Sequence, residues 1–387
     1  MKFRNRAVFF ALSVCLFLCL GLWAEASHAC DLSLQAFPDD CQIQDRYREV
    51  RGRLQVIGVS PEEITEYRAL RFIDRHSWEK AKSKLRPLVP WQVYDPKPST
   101  WLIWERGENF SRAQFSGAPF SLEFVRALHR HAITSALMTD ASVYLKGGAP
   151  GKIRSSFWQL PPGSDITCES KEVDEATAKL LLNYDLRTPS GQPLLSVNLI
   201  PCANLATQRG KAGPVYRYPG SPYYTGFLAY LPSSDVPDEI QRWSDVSASL
   251  WHDLGTGKSR ALSPLELVAD TQRWFVSIHP FGDGNGRTSR FIQDRLLAEL
   301  DLPYPASGDL QQDLYTPKMK YREAMRKAEY RALEILETCA VKLTAHIVAP
   351  ECQPVFRETD PAANADAAAA KKAFQAELDQ VLAKAIE

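Results

Sequence analysis

Residues 279–290 read HPFGDGNGRTSR. The stretch lies between SPLELVADTQRWFVSI (263–278) and RFIQDRLLAELDL (290–302), which share Arg290 with it or border it and are both spaced like helices. Ser263-Pro264 reads as an N-cap followed by a proline at the first helical position. Leu265, Val268, Phe275 and Ile278 then recur as one buried stripe, and Phe291, Ile292, Leu296 and Leu300 form another. The bland reading is a glycine-rich turn between two helices. Its chemistry is richer than a turn needs. Gly284, Asn285 and Gly286 can adopt positive φ and turn their N–H groups to one side. That makes an anion nest at the positive end of the following helix. Arg287 and Arg290 follow on that helix, one turn apart, and guanidinium groups grip phosphate oxygens in pairs. Asp283 is a poor phosphate ligand alone but suits Mg²⁺, which takes one or two carboxylates together with phosphate oxygens and water. His279 titrates near neutral pH and sits within one loop of the nest, so it can serve as a general base. Phe281 reads as a plug that fixes the loop to the core, with Pro280 stiffening the chain behind the histidine.

The rest of the chain bounds the answer. It has 387 residues, 45% hydrophobic and 24% charged, with a net charge of zero. That balance builds a packed core. It gives no basic field for nucleic acid and no acidic tail. Residues 1–29 have the form of a signal peptide: Lys2, Arg4 and Arg6, an apolar run over 7–23, then small residues ending at Ala29. Cleavage leaves no membrane anchor, and the expected location is periplasmic or secreted. Beyond Cys15 and Cys19 in that leader, Cys30, Cys41, Cys168, Cys202, Cys339 and Cys352 remain. An even number in an exported chain suggests disulfides. The simplest of fifteen pairings (an arithmetic consequence of six cysteines) is Cys30–Cys41, Cys168–Cys202 and Cys339–Cys352. No cysteine or histidine spacing fits a structural zinc site.

Helical patterning marks residues 42–85, with Pro61 and two glutamates at a helix start. Residues 121–138 form a helix that Ser121 can cap, with His129 and His131 read as packing or surface histidines. Residues 155–212 lack periodicity and read as a loop-rich insertion. GPVYRYPGSPYYTGFLAYLP (213–232) reads as a β-hairpin turned at Pro219-Gly220-Ser221. Residues 315–343 are a long helix or a pair, and 347–387 an alanine-rich tail helix. Trp91, Trp101 and Trp104 fit core or a clamp between elements. The chain is thus mostly α, with one short hairpin, divided into residues 1–29, 30–120, 121–346 and 347–387.

At every specified position the opening stretch matches H-x-F-x-[D/E]-G-N-G-R-x-x-R, and the chain resembles the Fic family over about residues 121–345. The resemblance implies a Fic-type helical bundle with a β-hairpin flap and an additional N-terminal helical segment. It implies a protein adenylyltransferase that moves AMP from ATP to a Ser, Thr or Tyr hydroxyl of a protein. His279 would be the base and Asp283 would hold Mg²⁺. Gly284, Asn285 and Gly286 would cradle phosphates, Arg287 would bind phosphate, and Arg290 would reach the γ-phosphate. The flap would pin a target segment as an added strand. The resemblance leaves open a homodimer, another nucleotide donor, removal of AMP, and a non-catalytic nucleotide-binding adaptor. Many Fic proteins carry an inhibitory [S/T]-x-x-x-E-[G/N] helix. Here only Glu108-Asn109 has the terminal pair, with Trp104 where Ser or Thr belongs, so an exposed loop glutamate is the favoured reading.

Overall fold

A computed structural model describes residues 34–72, 78–79, 120–132, 153, 180, 183–201, 215–216, 224–258, 261–282, 284–308 and 312–352. The leader, Cys30, Cys168, Cys202, the three tryptophans, Glu108, Asp283 and the tail from 353 lie outside them, as does much of the expected insertion.

The described chain is mostly helical. Helices α1 (Pro38–Val56) and α2 (Thr65–Phe72) flank a 3₁₀ turn at Pro61–Glu63. Helix α3 (Leu122–Ala132) follows, and Ser121 Oγ accepts the Phe124 N–H at 3.2 Å, the expected cap. After a small sheet come α4 (Val236–Gly255), α5 (Pro264–Ile278), α6 (Asn285–Glu299), the short α7 (Gln312–Tyr315) and α8 (Lys318–Thr344). Helix α8 is one continuous element.

Helix α5 is the central support of the core. Its start is fixed twice. Ser263 Oγ accepts the Glu266 N–H at 3.2 Å while the Glu266 carboxylate accepts the Ser263 N–H at 3.0 Å, a capping box. From α1, Asp40 Oδ2 accepts the Leu265 N–H at 3.0 Å, so the N-terminal segment also caps the helix. Leu265, Val268, Phe275 and Ile278 are buried as their spacing required. Helices α4, α6 and α8 pack on α5, α3 packs on α6, and α1 packs on α8. One hydrophobic core runs from Ile43 to Cys352.

Polar contacts bind the N-terminal helices to this core. Arg71 of α2 meets Asp294 of α6 in a buried pair at 2.5 Å. Gln44 donates to the Leu300 carbonyl at 2.6 Å, and Arg48 and Arg51 both hold Asp301 just past the end of α6. At the other end, Cys339 and Cys352 form a disulfide that closes the turn after α8, as expected. Cys41 is also disulfide-bonded.

The expected two-stranded hairpin is a three-stranded antiparallel sheet. Strands β1 (Leu195–Pro201), β2 (Val215–Tyr216) and β3 (Tyr224–Tyr230) stand in the order β1-β3-β2. The extra strand comes from the segment read as a loop-rich insertion. Its apolar run LLSVNLI is short, and it pairs along all of β3, from Leu195 against Tyr230 to Pro201 against Tyr224. β2 covers only Tyr224 and Thr225 on the other edge of β3. Among the described residues that edge is open from Gly226 to Tyr230.

Glu329 of α8 is fully buried and makes no hydrogen bond among the described residues. Burial, and then the carboxylates of Asp40 and Asp294, push its pKa well above the ordinary range. Such a group takes up a proton on folding, so it costs stability as pH rises past the usual glutamate range. Glu329→Gln is expected to be more stable than wild type at pH 8 and to differ less at pH 4. Urea unfolding midpoints of both proteins across that range check this, and a difference independent of pH contradicts it.

Candidate active site

The site is a seven-step path from the end of α5 to the start of α6. His279 is the C-cap of α5, with φ 52° and ψ 57°, and its N–H donates to the Phe275 carbonyl at 3.3 Å. A left-handed backbone is uncommon for any residue other than glycine, and histidine is among those that tolerate it. The turn carries the imidazole off the helix axis and against the ring of Tyr230, the last residue of β3. The ring centroids are 3.9 Å apart and the planes meet at 24°.

Phe281 is the plug that its apolar character suggested. It is 1% exposed and stacks on His129 of α3, centroids 3.7 Å apart and planes 12° apart. His129 is therefore a packing histidine, and its stack on Phe281 holds the motif loop against α3.

Gly284 has φ 73° and stands as the N-cap of α6. Only this one of the three motif residues Gly284, Asn285 and Gly286 has positive φ, because Asn285 and Gly286 already belong to the helix. The nest is thus a single left-handed residue opening onto a helix N-terminus, whose first N–H groups point outward and carry the positive end of the dipole. The Asn285 side chain is not a phosphate ligand. It is 1% exposed, its Oδ1 accepts the Phe281 N–H at 2.9 Å, and its Nδ2 donates to the Phe281 carbonyl at 2.9 Å. Its amide closes the loop on itself, which leaves only its backbone N–H for a ligand. Thr288 Oγ1 donates to the Gly284 carbonyl and Ser289 Oγ to the Gly286 carbonyl, both at 2.9 Å.

Arg290 bends back along α6. Among the described residues outside its own helix backbone, a Cβ built on Gly286 would meet Arg290 Nη2 at 3.9 Å. The guanidinium therefore lies over the first turn of the helix. Behind it, Arg290 walls a cavity of about 30 Å³ with Gln272, Asp313, Tyr321, Arg71 and Asp294. That volume holds a water or two and no nucleotide. The floor is a fixed polar chain: Tyr321 donates to Gln272 Oε1 at 2.6 Å, and Gln272 Nε2 donates to Asp313 at 2.9 Å and Ser289 at 3.0 Å. Burial first, and then the Asp313 carboxylate, push the Tyr321 hydroxyl far up, so it stays protonated and remains a donor. Arg287 stands one turn before Arg290 and is partly buried.

Residues 216–297, which span β2 through most of α6, match the Fic/DOC family model. Over those residues the chain is similar to the Fic/DOC family. It is 35% identical over 80 residues to a Fido domain-containing protein of Dictyostelium discoideum, an alignment covering 20% of this chain. The chain spans about half the length of that relative, 56%. Among solved structures it is similar to a Fic domain-containing signalling protein from Bacteroides thetaiotaomicron, at 13% identity and a TM-score of 0.34, covering 89% of this chain and 97% of that one.

The motif alone did not reveal Tyr230, Gln272 or the side-chain task of Asn285. Tyr230 could have been suspected from its place at the end of the β-prone run YTGFLAY. The others depend on contacts across the fold, with no local signal. Asn285→Ala removes both bonds to Phe281. It should lower the unfolding free energy by about 1–3 kcal/mol, since two buried backbone groups lose their partner. Urea unfolding measures this, and an unchanged midpoint would contradict it.

Proposed function

We propose that this chain is an exported Fic-type protein adenylyltransferase, moving AMP from ATP to a Ser, Thr or Tyr hydroxyl of a protein. One observation carries the reading. Gly286 sits in a helical conformation, and among the described residues outside its own helix backbone only the Arg290 guanidinium comes near the place of a Cβ, so none of them demands a glycine there. Glycine in a helix costs roughly 0.5–1 kcal/mol relative to alanine. The cost makes sense where a ligand approaches the backbone closely. What surrounds that space is a helix N-terminus and the Arg290 guanidinium, a setting for phosphate.

In this reading the N–H groups of Asn285 and Gly286 hold phosphate oxygens, with Arg287 beside them and Arg290 at the terminal phosphate. Asp283 supplies one carboxylate, and a single carboxylate beside phosphate oxygens suits Mg²⁺. When bound there, the ion neutralises charge on the α- and β-phosphates. His279 takes the proton from the target hydroxyl. The freed oxygen bonds to the α-phosphorus, the bond from that phosphorus to its bridging oxygen breaks, and diphosphate leaves with the electron pair. Little covalent work falls to the protein, so positioning and charge stabilisation dominate. The edge of β3 that is open among the described residues is where a target segment would add as a strand. The pattern of residues 1–29 and the Cys339–Cys352 disulfide support an oxidising compartment outside the cytoplasm.

Incubating the protein with Mg²⁺, a panel of nucleoside triphosphates and candidate protein targets tests the reading. The expected product is a mass gain of one adenylyl group with ATP, absent with His279→Ala. No gain with any donor sinks it in favour of a nucleotide-binding adaptor.

Gly286→Ala separates ligand from fold. It should match or exceed wild-type stability, because alanine is the better helix former. Nucleotide affinity, read by calorimetry, should fall about tenfold or more, the effect of about 1.4 kcal/mol. Wild-type affinity in this variant would remove the backbone-approach argument.

A further inference from the structure

Among the described residues, β3 and the segment leading into β1 meet the end of α5 and the motif loop at two side-chain contacts. Tyr230 closes β3, opposite Leu195 of β1, and is buried in a small cluster with Leu180, Tyr184 and Leu195. Its ring lies on the imidazole of His279 at 3.9 Å. From the same cluster, the Tyr184 hydroxyl and Ser277 Oγ share a buried hydrogen bond of 2.8 Å, two residues before His279. The base of the sheet is thereby fastened to the last turn of α5.

We propose that Tyr230 is a positioning residue for His279, setting the plane of the imidazole and tying that plane to the position of β3. The proposal rests on the reading of His279 as the base. Three features carry it. His279 is a C-cap with a left-handed backbone, so the regular helix no longer restrains its side chain. A face-to-face neighbour at this distance blocks rotation of the ring. An aromatic face also stabilises the imidazolium formed when the base takes a proton. Because Tyr230 ends the strand whose edge would receive the target, seating of the target and alignment of the base share one residue. The aromatic ring is the part of the side chain that acts.

Three proteins test this: wild type, Tyr230→Phe, which keeps the ring, and Tyr230→Leu, which keeps bulk without a ring face. Tyr230→Leu should lose about tenfold or more in kcat for AMP transfer, the scale on which a base out of line is felt. Its KM for ATP should stay within about twofold. Tyr230→Phe should turn over like wild type. In proton NMR, the His279 ring signals, assigned by their loss in His279→Ala, should be shifted by the stacked ring in wild type and Tyr230→Phe and released from that shift in Tyr230→Leu. Full turnover in Tyr230→Leu, or a Tyr230→Phe that folds and turns over poorly, overturns the proposal. Should Tyr230→Leu not fold, Tyr230→Phe still decides, because the ring alone must sustain turnover. A wild-type protein that transfers nothing sinks the adenylyltransferase reading by itself. The NMR arm then stands alone, and His279 signals unmoved by Tyr230→Leu overturn the positioning role.

Discussion

The pair of hydrogen bonds between the Asn285 amide and the two backbone groups of Phe281 is the constraint on which the site depends. A loop turning from one helix into the next must dispose of backbone groups that neither helix satisfies. At a buried loop water cannot do it. One side chain with a donor and an acceptor at the right separation answers both needs, and asparagine is the shortest that has them. Once the loop is closed in this way, Phe281 is driven into the core, the N-terminus of α6 faces outward, and His279 is left at the rim. Glutamine would be one methylene too long, and aspartate would lack the donor.

That closure works only because larger elements hold its two ends. Helix α5 is capped by its own Ser263 and Glu266 and by Asp40 from α1. Helix α6 is held at its far end by Gln44, Arg48 and Arg51 of α1 and mid-length by Arg71 of α2. The N-terminal helices therefore act as a brace on both helices that carry the site. Replacing one member of the buried Arg71–Asp294 pair would leave a charge in the core, a cost of about 3–5 kcal/mol in comparable cases. Asp301, for its part, is partly buried. Burial works to raise its carboxyl pKa, but hydrogen bonds from Arg51 and Arg48 hold it below the usual range.

The helices and their buried stripes were legible because their signals are local. Ser263, Pro264 and the spacing of Leu265, Val268, Phe275 and Ile278 state where α5 starts and which face it buries. The motif was legible for the same reason, since its residues are twelve neighbours. The sheet was only half legible. Tyr224–Tyr230 alternates weakly, but its long partner β1 lies some thirty residues earlier in a stretch without periodicity, and strand pairing at that distance has no sequence period to betray it. The side-chain task of Asn285 was not legible for a related reason. The sequence reading assigned only its backbone N–H, as part of an anion nest, and the fold adds that its side chain is folded back on Phe281.

The two motif glycines flanking Asn285 now have different causes. Gly284 answers to the fold: with φ 73° at the N-cap, a side chain there would be strained whatever lay nearby. Gly286 has no such cause among the described residues, since its backbone is ordinary and only Arg290 reaches near it, and in the proposed reading it answers to a ligand. A sequence motif that contains both kinds records two selections at once, one for a chain that can turn and one for a surface that a ligand can reach. The same division runs through the other residues of the loop. Phe281, Asn285, Thr288 and Ser289 spend their polar or apolar groups inside the protein. Gly286 and Arg290 stand together at the helix N-terminus, and His279 stands at the opposite end of the loop against Tyr230. What makes the loop a candidate active site is this separation: the inward residues leave almost no freedom to the outward ones.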